Sequence, residues 1–209
     1  QSHYPNGSLV CVENTANRGG GTCYEQEVLD AIAEVSKAKN CSTHIDGARI
    51  FNASVATNTP LRRMTRDYDS ISICLSKGLG APVGSVLVGS EEFIGQAHRW
   101  RKMFGGGMRQ SGVLAAAGMY ALENNIQRME DDHRRAQSIA RAIDEMDHVS
   151  VDIDAVQTNM VYFSANGFTA SEVSQKMAKA GIDMFDISPT HCRIVCLLYT
   201  SPSPRDWLQ

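Results

Sequence analysis

Three short apolar runs, set a crossover's length apart, constrain this chain more than any total does. LVCVE (9–13), STHID (42–46) and DSISICL (69–75) read as strands, the first opening into polar Glu13-Asn14-Thr15. Between the first two, Val28, Ile32 and Val35 recur at helical spacing within residues 25–39. Strand, helix, strand at this separation predicts an α/β fold, a mainly parallel sheet joined by crossover helices. GSVLVG (84–89) adds a further short strand. Residues 91–104 return to helix, with Phe93, Ala97 and Trp100 on one face, and Gly105-Gly106-Gly107 stops it. Residues 113–146 read as two long helices broken near Asn124-Asn125.

After Asp147 the texture changes to VSVDI, MVYFSA, a helix over 169–180, and RIVCLL. The expected organisation is a large-domain portion over 1–147, a partial small α+β domain over 148–195, and an atypical tail over 196–209. In that tail Ser201-Pro202-Ser203-Pro204 cannot continue a strand or a helix. Arg18 to Thr22 (RGGGT) reads as a flexible connector.

Composition excludes several functions. The formal net charge of -3 gives no electrostatic case for a nucleic-acid or anionic-membrane partner. No apolar run approaches the ~20 residues of a membrane span, and QSHYPNGS has the basic and apolar regions of no secretory signal. The chain opens without Met and in mid-phrase, so a fragment is expected. Of the six cysteines, Cys11 and Cys74 lie in strand-like runs as small buried hydrophobes. Cys192 and Cys196 lack a second pair at zinc spacing, so no metal is expected. A reducing, cytoplasmic compartment is the simplest expectation.

Ligands of open parallel sheets sit beyond the carboxyl ends of the strands. Glu13 and Asn14, Asp46 with Arg49, and Lys77 all fall there; each alone is more readily a cap, a loop salt bridge or a solvated terminus, but their convergence on one sheet edge favours a site. ICLSKGLGAPVGS (73–85) ends a strand on one lysine and then strips the chain of bulk. A desolvated amine becomes a nucleophile toward aldehydes, and the small residues leave room for a planar ring. A phosphate loop is excluded, because there GxxxxG precedes the Lys and Ser or Thr follows it, whereas Ser76 precedes Lys77 here. A carboxylate at Asp46 suits the nitrogen of a pyridine ring, the partner expected for pyridoxal 5'-phosphate.

LVCVENTANRGGG, HIDGARIFNA, SICLSKGLGAPVGS and RWRKMFGGGMRQSGVLAAAG closely resemble the low-specificity and L-allo-threonine aldolases. These are pyridoxal-phosphate lyases of fold type I, within the β-eliminating lyase superfamily. The resemblance runs from about His3 to Val195. It implies that Lys77 carries the cofactor, Asp46 pairs with its ring nitrogen, and Arg49 lies beside cofactor and substrate. By its distance upstream of ENT, His3 matches a histidine near the substrate's β-hydroxyl. Lys102 and Arg109 match basic residues of a loop approaching the substrate and cofactor from a neighbouring subunit, with a solvated helix end as the plain alternative. Arg193, in CRIV, matches the arginine that grips the substrate carboxylate.

Three departures stand against the family pattern. Ala16 replaces the histidine of ENTHN, Cys196 and the SPSP stretch replace the usual continuation, and the phosphate cup expected upstream of His3 is absent. The implied activity is cleavage of threonine or allo-threonine to glycine and acetaldehyde by a cytoplasmic homotetramer or dimer, with this segment alone expected to be inactive. Its rivals are a related lyase acting on tryptophan or tyrosine, against which GGGMRQ argues, and a non-catalytic fragment.

Overall fold

The structure, a computed structural model, describes residues 7–198. His3 and the SPSP stretch lie outside the described residues. The chain divides into two compact units. One takes residues up to Thr15 and Tyr24–Ile126, and the other takes Ala16–Cys23 and the residues from Gln127 onward.

The first unit holds β1 (Leu9–Glu13), α1 (Gln26–Ala38), β2 (Ser42–Asp46), α2 (Ile50–Thr57), α3 (Leu61–Thr65), β3 (Ser70–Cys74), β4 (Ser85–Gly89), α4 (Glu91–Met103) and α5 (Gly112–Asn124). Its sheet runs β1-β2-β3-β4, with β1, β2 and β3 mutually parallel as the crossover spacing predicts. β4 returns antiparallel to β3. The link from Leu75 to Gly84 is too short for the dozen or more residues that a parallel crossover needs. Glu13 pairs with Asp46, so β1 and β2 end level, and Asp46 pairs with Ser72, two residues before the end of β3.

Several sequence expectations need correcting. α1 buries Leu29, Ala33 and Ser36 rather than Val28, Ile32 and Val35, and Val35 is 61% exposed. The buried Ser36 hides this stripe from hydrophobic spacing. Its hydroxyl donates to the Ile32 carbonyl at 2.6 Å, which satisfies a polar group the core could not otherwise take. In β1 only Val12 is buried, and Cys11 is exposed. The apolar face of α4 is also exposed, Trp100 by 54%, as are Val86, Leu87 and Val88 of β4. α2 and α3 were not anticipated; Arg63 of α3 is ion-paired with Asp30 of α1.

The second unit contains α6 (Met129–Asp144), β5 (Val149–Val151), β6 (Met160–Ala165), α7 (Ala170–Lys179), β7 (Phe185–Asp186) and β8 (Cys192–Val195). Its antiparallel sheet is ordered β5-β6-β8-β7. α6 packs on β5 and β6 through Ala136, Ala140 and Ile143, so this unit starts at Gln127 and not at the change of texture near 148. α7 opens on a capping box, Thr169 with Glu172. Asp132 of α6 is fully buried and takes 2.9 Å bonds from both Arg128 and Arg135, the pairing a buried carboxylate requires.

Cys196 is not the start of a separate tail. It is buried in the core, its N–H donates to the Asn159 carbonyl at 2.8 Å, and its carbonyl accepts from Asn159 Nδ2 at 2.9 Å. Burial, with Asp132 nearby, pushes the Cys196 thiol up to about 11, and burial also raises Cys192. Neither thiol offers a thiolate near neutral pH.

The glycine run read as a flexible connector is pinned instead. The Thr158 hydroxyl donates to the Gly21 carbonyl at 2.7 Å, and the Cys23 N–H donates to Gln157 Oε1 at 2.7 Å. Gly21 has φ +78°, and a Cβ there would lie 2.7 Å from Thr158 Oγ1 and 2.8 Å from Met160 Cε. Thr158 and Met160 are buried, so neither can easily give way. Gly21→Ala is therefore expected to destabilise the protein by about 2–4 kcal/mol, the sum of backbone strain and overpacking. Urea unfolding measures it; a change below about 0.5 kcal/mol, the range of ordinary surface substitutions, would show the loop to be loosely held.

Candidate active site

The carboxyl ends of the parallel strands in the first unit carry groups that the sequence singled out. Asp46 is the last residue of β2, and its main chain is fixed from both sides. The Asn14 N–H donates to the Asp46 carbonyl at 3.0 Å, and the next residue, Gly47, donates its N–H to the Ser72 carbonyl at 2.8 Å. A Cβ on Gly47 would lie 2.8 Å from Ile71 Cδ1 and 2.9 Å from the Ser72 carbonyl oxygen, so only glycine allows this approach to β3. The Asp46 side chain is exposed at the sheet edge, and Oδ1 accepts from the Ala48 N–H at 3.1 Å, an Asx-type turn. Arg49 follows as the half-buried residue that opens α2.

Lys77 sits half-buried in the turn beyond β3. Its own carbonyl accepts from the Gly80 N–H at 2.9 Å, the Ala81 N–H reaches the Leu75 carbonyl at 2.9 Å, and the Leu75 N–H reaches Gly84 at 2.9 Å. Gly80 (φ +74°) and Gly84 (φ +107°) occupy the left-handed backbone region that side chains resist. Leu79 and Ala81 are buried, and Asn125, just past α5, donates through Nδ2 to the Leu79 carbonyl at 2.7 Å. Gly118 of α5 brings that helix against Leu75, where a Cβ would stand 3.1 Å from Leu75 Cδ1. The loss of bulk after Lys77 thus serves a tightly bonded turn that holds the lysine's main chain at the end of β3.

Thr15 and Asn14 complete this edge. Both are fully buried, and Asn14 Nδ2 and Thr15 Oγ1 have no hydrogen-bond partner among the described residues. Unmet polar groups cost about 1–3 kcal/mol each when buried, so the head of β1 carries a standing demand for hydrogen bonds. Lys102 stands on the exposed last turn of α4 and Arg109 in the exposed loop beyond it. A Cβ on Gly107 would lie 2.5 Å from Lys102 Cδ, so the glycine run folds back along that lysine.

In the second unit, Arg193 lies on β8 between Tyr162 of β6 and Phe185 of β7, its register partners on either side. Its guanidinium carbon is 4.8 Å from the Phe185 ring centroid, a cation–π stack. Arg193 Nη1 donates to Asn17 Oδ1, and the Tyr162 hydroxyl donates to the Asn17 carbonyl. Sequence reasoning passed over Asn17, whose only signal was its place in the ENTAN stretch after the first strand. Among the described residues no group of three or more His, Cys, Asp or Glu is placed to hold a metal ion, and no helix is long and apolar enough to cross a membrane.

Residues 1–166 match the beta-eliminating lyase family model. The chain is 44% identical over 196 residues to the probable low-specificity L-threonine aldolase 2 of Arabidopsis thaliana, covering 92% of this chain and 55% of that one. It is likewise 44% identical over 187 residues to the low specificity L-threonine aldolase of Escherichia coli K12, covering 90% and 54%. The crystal structure of a putative L-allo-threonine aldolase from Listeria monocytogenes matches with a TM-score of 0.79 at 23% identity, over 90% of this chain and 55% of that one. This chain spans about half the length of the relatives it matches. Its parallel sheet, its lysine turn and a family match across most of its length agree: the chain belongs to the beta-eliminating lyase family of pyridoxal-phosphate-dependent enzymes.

Proposed function

We propose that a full-length protein carrying this segment cleaves L-threonine or L-allo-threonine to glycine and acetaldehyde. The observation that carries the reading is the pair Asp46 and Lys77, set by glycine-dependent turns at the carboxyl ends of adjacent parallel strands.

The residues at this edge fit pyridoxal phosphate. A turn-held lysine supplies the amine that its aldehyde needs, an exposed carboxylate supplies the acceptor that its ring nitrogen needs, and Asn14 and Thr15 bring unmet polar atoms to the same strand ends. Lys77 Nζ would hold the cofactor covalently, Asp46 would keep a proton on its ring nitrogen, and Arg49 and Arg109 would balance its negative charge. When bound, the cofactor supplies an electron sink for the pair left at Cα. Arg193 would orient the substrate carboxylate, helped by Lys102 and Arg49, and His3 is the candidate base for the β-hydroxyl proton. In the net reaction the Cα–Cβ bond breaks, the hydroxyl proton is lost as acetaldehyde forms, and Cα takes up a proton to give glycine.

The test is direct. The full-length protein, supplied with pyridoxal phosphate and L-threonine, is expected to release glycine and acetaldehyde in equal amounts, with acetaldehyde followed by NADH consumption through alcohol dehydrogenase. Ammonia released from tryptophan or tyrosine, with no acetaldehyde from threonine, would assign the chain to another reaction of the family.

A further inference from the structure

We infer that Asn17 is a positioning residue, which fixes the Arg193 guanidinium in the orientation needed to receive a substrate carboxylate. The inference rests on the proposed role of Arg193 and adds to it the element that aims the arginine.

Tyr162, Arg193 and Phe185 form a row that lies straight across three neighbouring strands. Residues opposite one another on adjacent strands share a face of the sheet. Stacking at 4.8 Å on Phe185 limits the tilt of the guanidinium plane but not its rotation within that plane. The bond from Nη1 to Asn17 Oδ1 removes the rotation. Asn17 can act as a fixed point because it is itself held: Tyr162, the other neighbour in the row, donates its hydroxyl to the Asn17 carbonyl. The main chain on either side of Asn17 is tied as well, since the Gly20 N–H donates to the Asn17 carbonyl at 3.3 Å and the Gly21 N–H to Ala16 at 3.0 Å.

Two features suit this arrangement to an incoming anion rather than to a closed structural pair. Asn17 is neutral, so it takes up one donor without cancelling the charge on Arg193, as an aspartate would. In addition, Arg193 Nε is buried and has no hydrogen-bond partner among the described residues. A guanidinium has five donors in a fixed fork; with Nη1 committed and Nε unmet, its bonding capacity is incomplete, and a carboxylate is the acceptor that matches the fork.

The experiment compares glycine with glycine methyl ester as calorimetric ligands of the cofactor-loaded, full-length protein. The two differ only in the charge and shape of the group that Arg193 would grip. Asn17→Ala is expected to weaken glycine binding by roughly tenfold while leaving the ester within about twofold, because only the carboxylate depends on how the fork is aimed. In threonine cleavage the same variant is expected to raise KM by roughly tenfold with kcat changed by less than about threefold. Tyr162→Phe keeps the ring and removes only the hydroxyl that holds Asn17. It is expected to move glycine binding the same way by about threefold, and it provides the test if Asn17→Ala does not fold. Equal loss for glycine and ester, or no loss for either, overturns the role of Asn17. Arg193→Lys separates the two levels. If it abolishes the preference for glycine while Asn17→Ala does not, Asn17 alone is misassigned; if Arg193→Lys leaves that preference intact, the reading of Arg193 falls with it.

Discussion

Lys77→Ala, made in the full-length protein, is expected to lower kcat/KM for threonine cleavage by about 10⁴ or more, some 5 kcal/mol of transition-state stabilisation. The turn's main-chain bonds and the bond from Asn125 do not involve the Lys77 side chain, so the turn itself should survive and the melting temperature should barely move. Activity is not the sharpest readout. Borohydride reduction of the loaded protein should fix the cofactor to a single peptide, the one spanning residue 77, and that mass should disappear in Lys77→Ala. A label that persists in the variant, or that appears at Lys102, would move the covalent role elsewhere.

Asp46→Asn separates a chemical role from a structural one with unusual clarity. Asn can still present an oxygen to the Ala48 N–H, and the Gly47–Ser72 and Asn14–Asp46 bonds involve no side chain at residue 46. The substitution should therefore keep the fold and the cofactor while removing the charge that would hold a proton on the ring nitrogen. A fall in kcat of order 10², roughly 3 kcal/mol, is expected. If Asp46 serves only the turn, Asn should stand in for it, with stability and turnover both nearly unchanged. The kcat of a variant whose melting temperature is unchanged decides between the two.

The sequence made the parallel core legible because β1, β2 and β3 are separated by crossover-length segments, and the same reasoning placed Asp46 and Lys77 at one edge. Where it failed, the cause was a neighbour that spacing does not reveal. The stripe of α1 was misassigned because Ser36 is buried behind a helical hydrogen bond. The second unit starts earlier than the texture suggested because α6 is mostly polar by composition yet turns Ala136, Ala140 and Ile143 inward. Gly21 looked like slack because its purpose lies in Thr158 and Met160, far along the chain. Asn17 was invisible for the same reason, its meaning residing in Tyr162 and Arg193.

That early segment also sets a timetable for synthesis. Ala16–Cys23 emerges from the ribosome with its neighbours in the first unit, but its partners belong to the second. Thr158 follows Gly21 by 137 residues and Arg193 follows Asn17 by 176. At about 5–20 residues per second, Asn17 waits on the order of 10–30 s for its arginine. During that interval the eight residues after Thr15 lack their bonds to Gln157, Thr158, Tyr162 and Arg193. The nascent chain can pair β1 with β2 in that time, but the second unit cannot be completed until translation has passed β8, however quickly its own helices and strands form.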